Sequence, residues 1–447
     1  MFDILSNILL GIILFSVFCT PLLSLTKNKN YRYFCFIWIL LYFAQFYMYT
    51  PGSDVSPYAY TISAISAIRF FGLTLSAFAS LALLFYLALS VLFRRKLPTK
   101  DAMTPFLLAL LPNLIVFFWT PSVSNSIDSF AKMMTPFAIM LYFTIVVDAS
   151  RVNVIKKTVE FINILMVLQV IVCKLSYGFT SAYNYYYELE EEFFGYYNHP
   201  HSYTSLLWIL ALYNIYAISR KEHYLLNIIL FVTNVSFTYF TGVRTYLVAL
   251  LGGLAYIGII SFMDNHGKRL RGFVIVGVAL MLVFGSRLIE NFGAGRTYIT
   301  FNASSGRLLR WGLDLNYFFT QYSLPQLLFG RGVDSSYIVN KEILGVYINS
   351  LNLFIDLLLD YGVIGLVLIV SAYFILFKQC ISDSNKLFLI GVMASFFIAS
   401  MINSAVSYVP TMTMLVAVIW IMKVDSPVNM QDRNNYFGLN RFRYIRG

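Results

Sequence analysis

The chain has 447 residues, of which 59% are hydrophobic and only 12% are charged. A soluble domain carries about 25% charged residues, so this composition excludes a soluble globular protein and predicts a protein embedded in a bilayer. The formal net charge of +11 comes from short cationic clusters that separate apolar runs. Because these clusters form no continuous basic face, they exclude nucleic acid as a partner and are typical of membrane topology signals.

Thirteen apolar runs have about the length that a helix needs to cross the hydrocarbon core, which is roughly 20 residues. The first lacks the basic region and cleavage site of a signal peptide, so we expect it to remain as a span. The sequence therefore predicts an all-α polytopic integral membrane protein of about 12–13 transmembrane helices, with one membrane domain over residues 1–424. The runs lie at 2–25, 32–50, 70–93, 103–120, 132–148, 158–178, 201–219, 224–241, 245–263, 272–286, 361–378, 386–402 and 409–423.

Every second loop between these runs is basic, and basic loops mark the cytoplasmic side of a membrane protein. The rule predicts a multi-pass membrane protein with its N-terminus outside and a basic cytoplasmic tail at 425–447. If the first run does not span the membrane, or if one span is miscounted, the N-terminus lies inside and the later loops keep their sides. The loops at 183–200, 241–245 and 287–360 are then outward-facing. The basic loops lie at 27–32, 94–100, 151–157, 220–221, 268–271 and 378–386.

The loop at 287–360 is the largest, and it keeps cations away from the cytoplasmic side where they normally collect. Such cations are expected to bind an anion. We expect short helices and turns that pack onto the bundle, with one helix over Val346–Leu359 that places Asp356 and Asp360 on one face. The cations are Arg287, Arg296, Arg307, Arg310, Arg331 and Lys341.

The first candidate motif for binding or catalysis spans residues 193–202 and contains Tyr196, His199, Pro200 and His201. Four glutamates and several tyrosines precede it. Aromatic faces and carboxylates are the groups that bind sugar rings, which favours a carbohydrate site. The alternative is an interfacial aromatic belt with a turn that leads into a helix.

The second motif is Thr241–Thr245, a tight outward turn that holds Arg244 between two spans. An arginine this close to the bilayer is costly unless it is paired or lines a wet cavity, so a phosphate is a natural ligand. The alternative is an arginine that extends its side chain to the outer headgroups.

The third motif contains Arg307, Arg310 and Trp311, which share one face of a predicted helix, and it is followed by Gly330-Arg331-Gly332. Two planar guanidinium groups on one face can bind a pyrophosphate. The alternative is neutralisation of both arginines by carboxylates, for which the candidates are Glu290, Asp314 and Glu342.

Taken in order over residues 190–370, these stretches resemble the superfamily of O-antigen polymerases (Wzy-type) and O-antigen ligases (WaaL-type). Gly195–Ser202 is similar to the family's Gly, His-Pro start of a helix, and Thr241–Thr245 to its Thr-Gly-Ser-Arg turn. Further similar positions are Arg307 with Trp311, Gly330 with Gly332, and Asn352, Phe354 and residues 362–365. The resemblance implies a GT-C-like membrane glycosyltransferase with its active site facing the periplasm.

The resemblance further implies polymerisation of undecaprenyl-pyrophosphate-linked oligosaccharide repeat units, with release of the lipid carrier. Implied partners are these lipid-linked glycans, membrane lipids, a chain-length regulator and a flippase. No cofactor is expected and metal independence is predicted, because arginines can replace a divalent cation at the leaving group. We expect catalytic roles for Arg244, Arg307, Asp356 and His199. Substrate binding is expected from Arg310, Trp311, Arg331, Arg296, Tyr196, His201, Asn352 and Asp360.

One departure from the family pattern concerns the base that activates the acceptor. Ligase-like members have a histidine before the position of Asn352, where this chain has Leu351. This favours a polymerase over a ligase and leaves Asp356 ahead of His199 as the replacement base. A glycolipid flippase is the alternative from another functional class.

Overall fold

The computed structural model describes residues 69–70, 73–94, 99–120, 123–145, 147, 152–177, 193–195, 197, 200–263, 307–404, 406 and 408–425. These residues form thirteen helices and one two-stranded antiparallel ladder, β1 (Arg69–Phe70) and β2 (Leu73–Thr74). The helices are α1 (Leu75–Arg94), α2 (Lys100–Val116), α3 (Val123–Ile145), α4 (Val152–Tyr177), α5 (Pro200–Ser219), α6 (Tyr224–Phe240), α7 (Arg244–Met263), α8 (Arg307–Gln321), α9 (Leu324–Phe329), α10 (Ser335–Leu344), α11 (Leu353–Lys378), α12 (Lys386–Ile402) and α13 (Val409–Val424).

Ten of the thirteen predicted spans fall mainly on described residues, and each of the ten overlaps a helix. By length and hydropathy, three of the described helices can cross a membrane: Val152–Leu175, Arg244–Ser261 and Leu353–Lys378. Shorter apolar helices lie at Ser80–Leu89, Tyr224–Phe240, Lys386–Ile402 and Val409–Val424. The architecture is that of an α-helical membrane protein. The spans predicted at 2–25, 32–50 and 272–286 lie outside the described residues.

Two helices at the centre of the bundle, α5 and α13, are buried along almost their whole length. Their apolar residues are distributed around the helix axis, and a helix without a polar face is stable only when neighbours cover it on all sides. The neighbours of α13 include α3, α4, α5 and α12, and those of α5 include α4, α6 and α7. Ring contacts such as Phe143 stacked on Trp420, with 4.7 Å between centroids, lie in this core.

Three of the predicted cytoplasmic loops, at 151–157, 220–221 and 378–386, meet at one end of the bundle. Lys156 pairs with Glu222 at 2.5 Å and with Asp425 at 2.8 Å, while the Arg220 guanidinium donates to the carbonyl of Ser384. The starts of α4 and α12 and the ends of α5 and α13 therefore share this end. Helices that alternate in direction require this arrangement, and the opposite end collects the loops predicted to face outward.

The described part of the predicted large loop, from residue 307 onwards, packs on the bundle as the short helices α8, α9 and α10. They form a second small core around Phe318, Tyr322, Val339, Ile355 and Leu359, which joins α8 and α10 to the start of α11. The prediction that a helix begins at Val346 is wrong. Residues 346–352 are irregular because Gly345 and Leu351 adopt positive φ angles, and α11 begins at Leu353.

The α11 helix is broken by Gly362, whose φ of 68° and ψ of −173° are not helical. The turn at Gly330 packs backbone to backbone against this break, since a Cβ atom on Gly362 would lie 2.4 Å from the Gly330 nitrogen. The amides of Arg331 and Gly332 donate to the carbonyls of Leu359 and Asp360, both at 3.1 Å. Two glycines therefore dock the loop onto α11.

Candidate functional site

The Arg307 guanidinium, in the first turn of α8, joins two stretches that are distant in sequence. Its Nη1 donates to the Thr245 hydroxyl at 3.2 Å and to the carbonyl of Ile402 at 3.0 Å. Thr245 directly follows Arg244, the exposed first residue of α7. The loop arginine and the Thr241–Thr245 turn, which the sequence separates by more than sixty residues, therefore meet at the end of the bundle that is predicted to face outward.

Arg307 and Arg310 lie one turn apart on α8, and neither forms an ion pair among the described residues. Arg310 donates to the carbonyl of Asn349 at 3.2 Å, but the Nε atoms of both arginines are buried without a hydrogen-bond partner in the described chain. Burial, together with the charge of Arg310, lowers the pKa of Arg307. A buried donor that lacks an acceptor costs about 1–3 kcal/mol, so this pair is suited to an anion.

Of the three carboxylates proposed to neutralise these arginines, the two that the structure describes form no ion pair with either of them. Asp314 is fully buried and accepts from the Asn340 amide at 3.5 Å. Burial raises the pKa of Asp314, whereas a dominant arginine partner would lower it. Glu342 pairs with Arg331 at 3.3 Å, and Glu290 lies outside the described residues.

Arg331 therefore lies in a different environment from the α8 arginines. Its Nη1 also donates to the Tyr317 hydroxyl at 3.1 Å. With one carboxylate and one phenol as partners, this guanidinium is compensated and ties α10 to α8. The structure does not group it with Arg307 and Arg310.

The first motif reaches the same end of the bundle through His201, in the first turn of α5. The Asn403 amide donates to His201 Nδ1 at 3.1 Å and to the Tyr246 hydroxyl at 3.4 Å. His199, Tyr196 and Arg296, also predicted for the site, lie outside the described residues.

The Asp356 carboxylate, in the first turn of α11, is held by three donors. Oδ1 accepts from the Ser350 amide at 2.9 Å, while Oδ2 accepts from the Asn349 side chain at 3.3 Å and from the Ser404 hydroxyl. Ser404 follows Asn403, the partner of His201. Only 8% of Asp356 is exposed, and that part borders a cavity.

This cavity, the acidic cavity below, has a volume of about 220 Å³. Its lining carries four carboxylates against one cation, with hydroxyl, amide and phenol groups between them. Such a lining suits a neutral, hydroxyl-rich ligand and disfavours an anion. Charged and polar residues of the lining are Asp128, Asp334, Asp356, Asp360, Lys132, Asn125, Ser129, Ser336, Tyr337, Asn349 and Ser404.

Three other predicted site residues form hydrogen bonds that shape the backbone. The Asn352 side chain caps α11 by accepting from the amides of Phe354 and Ile355. Asp360 accepts from the Ser336 amide at 3.0 Å and so caps the start of α10. Trp311 donates its indole N–H to the carbonyl of Ser350 at 2.8 Å, next to the contact of Arg310 with Asn349. These bonds fix the irregular segment and the helix start beside Asp356.

The sequence reasoning missed the residues that connect the two halves of the site. Asn403 contacts His201 and Tyr246, and Ser404 contacts Asp356. In the sequence these residues appear only as a short polar turn between two spans and as the residue after Thr245. The available signal was the turn itself, because adjacent Asn and Ser between two apolar spans on the outward side need hydrogen-bond partners.

Comparisons with known proteins add nothing to this geometry, since no family model and no curated protein matches the chain. Among the described residues, no group of three or more His, Cys, Asp or Glu side chains is arranged to hold a metal ion. Metal independence therefore stays a prediction.

Proposed function

We propose that this protein is a membrane glycosyltransferase that polymerises undecaprenyl-pyrophosphate-linked oligosaccharide repeat units at the periplasmic face of the inner membrane. The observation that carries the proposal is the pair Arg307 and Arg310. Their Nε–H groups have no acceptor among the described residues, and neither guanidinium forms an ion pair there. A pyrophosphate bound at their other N–H groups would supply the missing countercharge.

The donor pyrophosphate would bind between α8 and the start of α7, where Arg244 lies one residue from the Thr245 contact of Arg307. The positive end of the α7 dipole adds to this field. Positive charge at this position stabilises the leaving group as its bond to the sugar breaks.

The acceptor sugar would occupy the acidic cavity, whose charge suits hydroxyl groups and repels phosphate. Its hydroxyl oxygen attacks the anomeric carbon of the donor sugar and the bond from that carbon to the phosphate oxygen breaks. Lipid pyrophosphate leaves with the electron pair, and the hydroxyl proton passes to Asp356. No nucleotide is required, because pyrophosphate is already a good leaving group.

Asp356 retains the capacity to accept this proton. An ionised carboxylate offers about four lone-pair positions, and the three protein donors use three of them. The remaining position belongs to Oδ1, which accepts only the Ser350 amide. Positioning is the main contribution of the three donors, since a base must lie within hydrogen-bond reach of the hydroxyl.

The test uses full-length protein in proteoliposomes with synthetic lipid-linked repeat units, and measures product length on a gel. Arg307→Ala is expected to lower the polymerisation rate by roughly 100-fold or more. Arg307→Lys restores little, because an ammonium group lacks the planar fork. Lys341→Ala is the matched control, since it removes an exposed cation from the same loop.

Polymer of normal length from both Arg307→Ala and Arg310→Ala would refute the proposed anion site. If wild-type protein forms no polymer but joins a single glycan to a lipid A core acceptor, the ligase alternative replaces the proposal.

A glycolipid flippase is the second candidate, and the α4–α6 interface favours it. Asn163 donates to Asn214 at 3.0 Å and accepts from Asn234 at 2.9 Å, all three fully buried. Polar groups inside a bundle can line a transport path. A flippase would move lipid-linked precursor across proteoliposomes without lengthening it, so the same preparation distinguishes the two functions.

A further inference from the structure

A second cavity lies beside the acidic cavity and is not used by the reaction described above. It has a volume of about 410 Å³, within the range of about 300–1,000 Å³ that small-molecule sites occupy. Its lining includes Trp119 at the end of α2, Gln326 of α9, Arg331, and Ser335 of α10. We call it the Trp119 cavity.

The Trp119 indole provides a flat apolar surface at this cavity. The side chain is 43% exposed, and its ring meets the Phe329 ring edge-on with 6.2 Å between centroids. Phe329 belongs to α9 and immediately precedes Gly330, which packs against the break in α11. The indole is therefore supported from behind by the segment that docks the loop.

The polar groups around the indole can form hydrogen bonds, and their net charge is close to zero. The charge of Arg331 is balanced by Glu342 at 3.3 Å and by the Tyr317 hydroxyl. Gln326 accepts from the Ser323 amide through Oε1, which leaves its NH₂ group for a ligand. A compensated guanidinium disfavours a phosphate headgroup. An aromatic face with neutral donors suits the apolar face and hydroxyls of a sugar ring.

The two cavities lie on either side of one turn of chain. Ser335 lines the Trp119 cavity and Ser336 lines the acidic cavity, while the Gly332 amide donates to the carbonyl of Asp360 between them. Consecutive residues of this turn therefore border both cavities.

We propose that the Trp119 cavity is a second carbohydrate subsite, which binds the sugar adjoining the acceptor sugar. This subsite rests on the proposed function, since that function places the acceptor in the acidic cavity. It gives the enzyme affinity for an acceptor of at least two sugars. Trp119 is a positioning residue and touches none of the reacting atoms.

The experiment compares Trp119→Ala with Phe118→Ala in full-length protein. Phe118 is the neighbouring residue and is 85% exposed, but it does not line the cavity. With a lipid-linked acceptor of two or more sugars, Trp119→Ala is expected to raise KM about tenfold with little change in kcat, as loss of an aromatic contact predicts. With a one-sugar acceptor, Trp119→Ala and wild type should have equal KM, and Phe118→Ala should match wild type with both acceptors.

An equal rise in KM for the one-sugar acceptor would overturn the subsite, because it would show that the cavity holds the lipid anchor common to both acceptors. Unchanged KM with both acceptors would overturn it as well. In either case Arg307→Ala reports separately on the proposed function.

Hydroxyl-radical labelling of wild-type protein makes the test independent of how the variant folds. Free repeat-unit oligosaccharide should protect Trp119 and leave Phe118 labelled to the same extent. Equal labelling of Trp119 with and without a saturating oligosaccharide would overturn the subsite.

Discussion

Substitution of Gly362 tests whether the loop docks on α11 through direct backbone contact. The φ and ψ of Gly362 fall in a region essentially restricted to glycine, so any side chain costs about 1–3 kcal/mol there. An added Cβ would also lie 2.4 Å from the Gly330 nitrogen and 2.5 Å from the Leu328 carbonyl carbon. Backbone atoms cannot move aside as a flexible side chain can, and overpacking adds about 1–3 kcal/mol. Gly362→Ala is therefore expected to destabilise by roughly 2–6 kcal/mol in total.

Two other glycines separate these contributions. Gly345 has a φ of 71° but no atom within 4 Å of an added Cβ, so Gly345→Ala should cost about 1–2 kcal/mol from backbone strain alone. Gly312 lies inside α8 with open space around it, and Gly312→Ala should stabilise by roughly 0.5–1 kcal/mol. Thermal unfolding of purified protein in detergent should rank Gly312→Ala above wild type, then Gly345→Ala, then Gly362→Ala. If Gly362→Ala unfolds at the temperature of Gly345→Ala, the backbone contact is absent and the reasoning fails.

Two further predictions concern buried charge. Lys156→Met should lower the free energy of unfolding by about 3–5 kcal/mol, because it leaves Asp425 buried without its cation. Lys132→Met is the control and breaks a more exposed pair with Asp128. It should lower the free energy of unfolding by about 1 kcal/mol or less. Thermal unfolding of both variants checks this, and equal losses would contradict it. The pKa of Asp314 is raised in the folded state, so the folded chain binds the Asp314 proton more tightly than the unfolded chain. As the pH rises from the ordinary carboxyl pKa through the raised one, Asp314 ionises and the free energy of unfolding falls. Asp314→Asn should therefore raise the unfolding temperature at pH 7.5 and lose this advantage as the pH falls towards about 4, and a variant less stable than wild type at pH 7.5 would contradict the sign.

The helices of the bundle could be predicted from the sequence because each one coincides with a continuous stretch that contains an apolar run. Runs such as 201–219 and 386–402 match α5 and α12 within a residue. Polar residues in a bilayer must end a helix or find a partner, so in these two cases the ends of the apolar run mark the ends of the helix. The pairing of basic loops at one end also follows from the alternation of the spans.

The onset of α11 was not accessible, because apolar composition alone cannot locate a helix start. Residues 346–352 are apolar enough for a helix, but the amide-accepting side chain of Asn352 and the positive φ of Leu351 stop it before Leu353. An N-cap contributes about 1 kcal/mol, which is sufficient to decide between two helix starts of similar hydrophobicity.

The contacts between residues of the site could not be predicted from the sequence, for a different reason. Ser404 lies 48 residues from Asp356, and Ile402 lies 95 residues from Arg307. Side chains at such separations meet only because α12 returns to the outward end beside α7, and helix pairing of this kind is set by packing between whole surfaces. Motifs in the sequence identify candidate residues, but they do not specify which of them touch.

The backbone around Leu351 orients the Asp356 carboxylate. Leu351 has a φ of 55°, which is strained for a bulky residue. The strain persists because Arg310 and Trp311 donate to the carbonyls of Asn349 and Ser350. The amide of Ser350 and the side chain of Asn349 in turn donate to Asp356. Under the proposed function Arg310 therefore acts twice, because it holds this backbone in place and also adds positive charge for the anion.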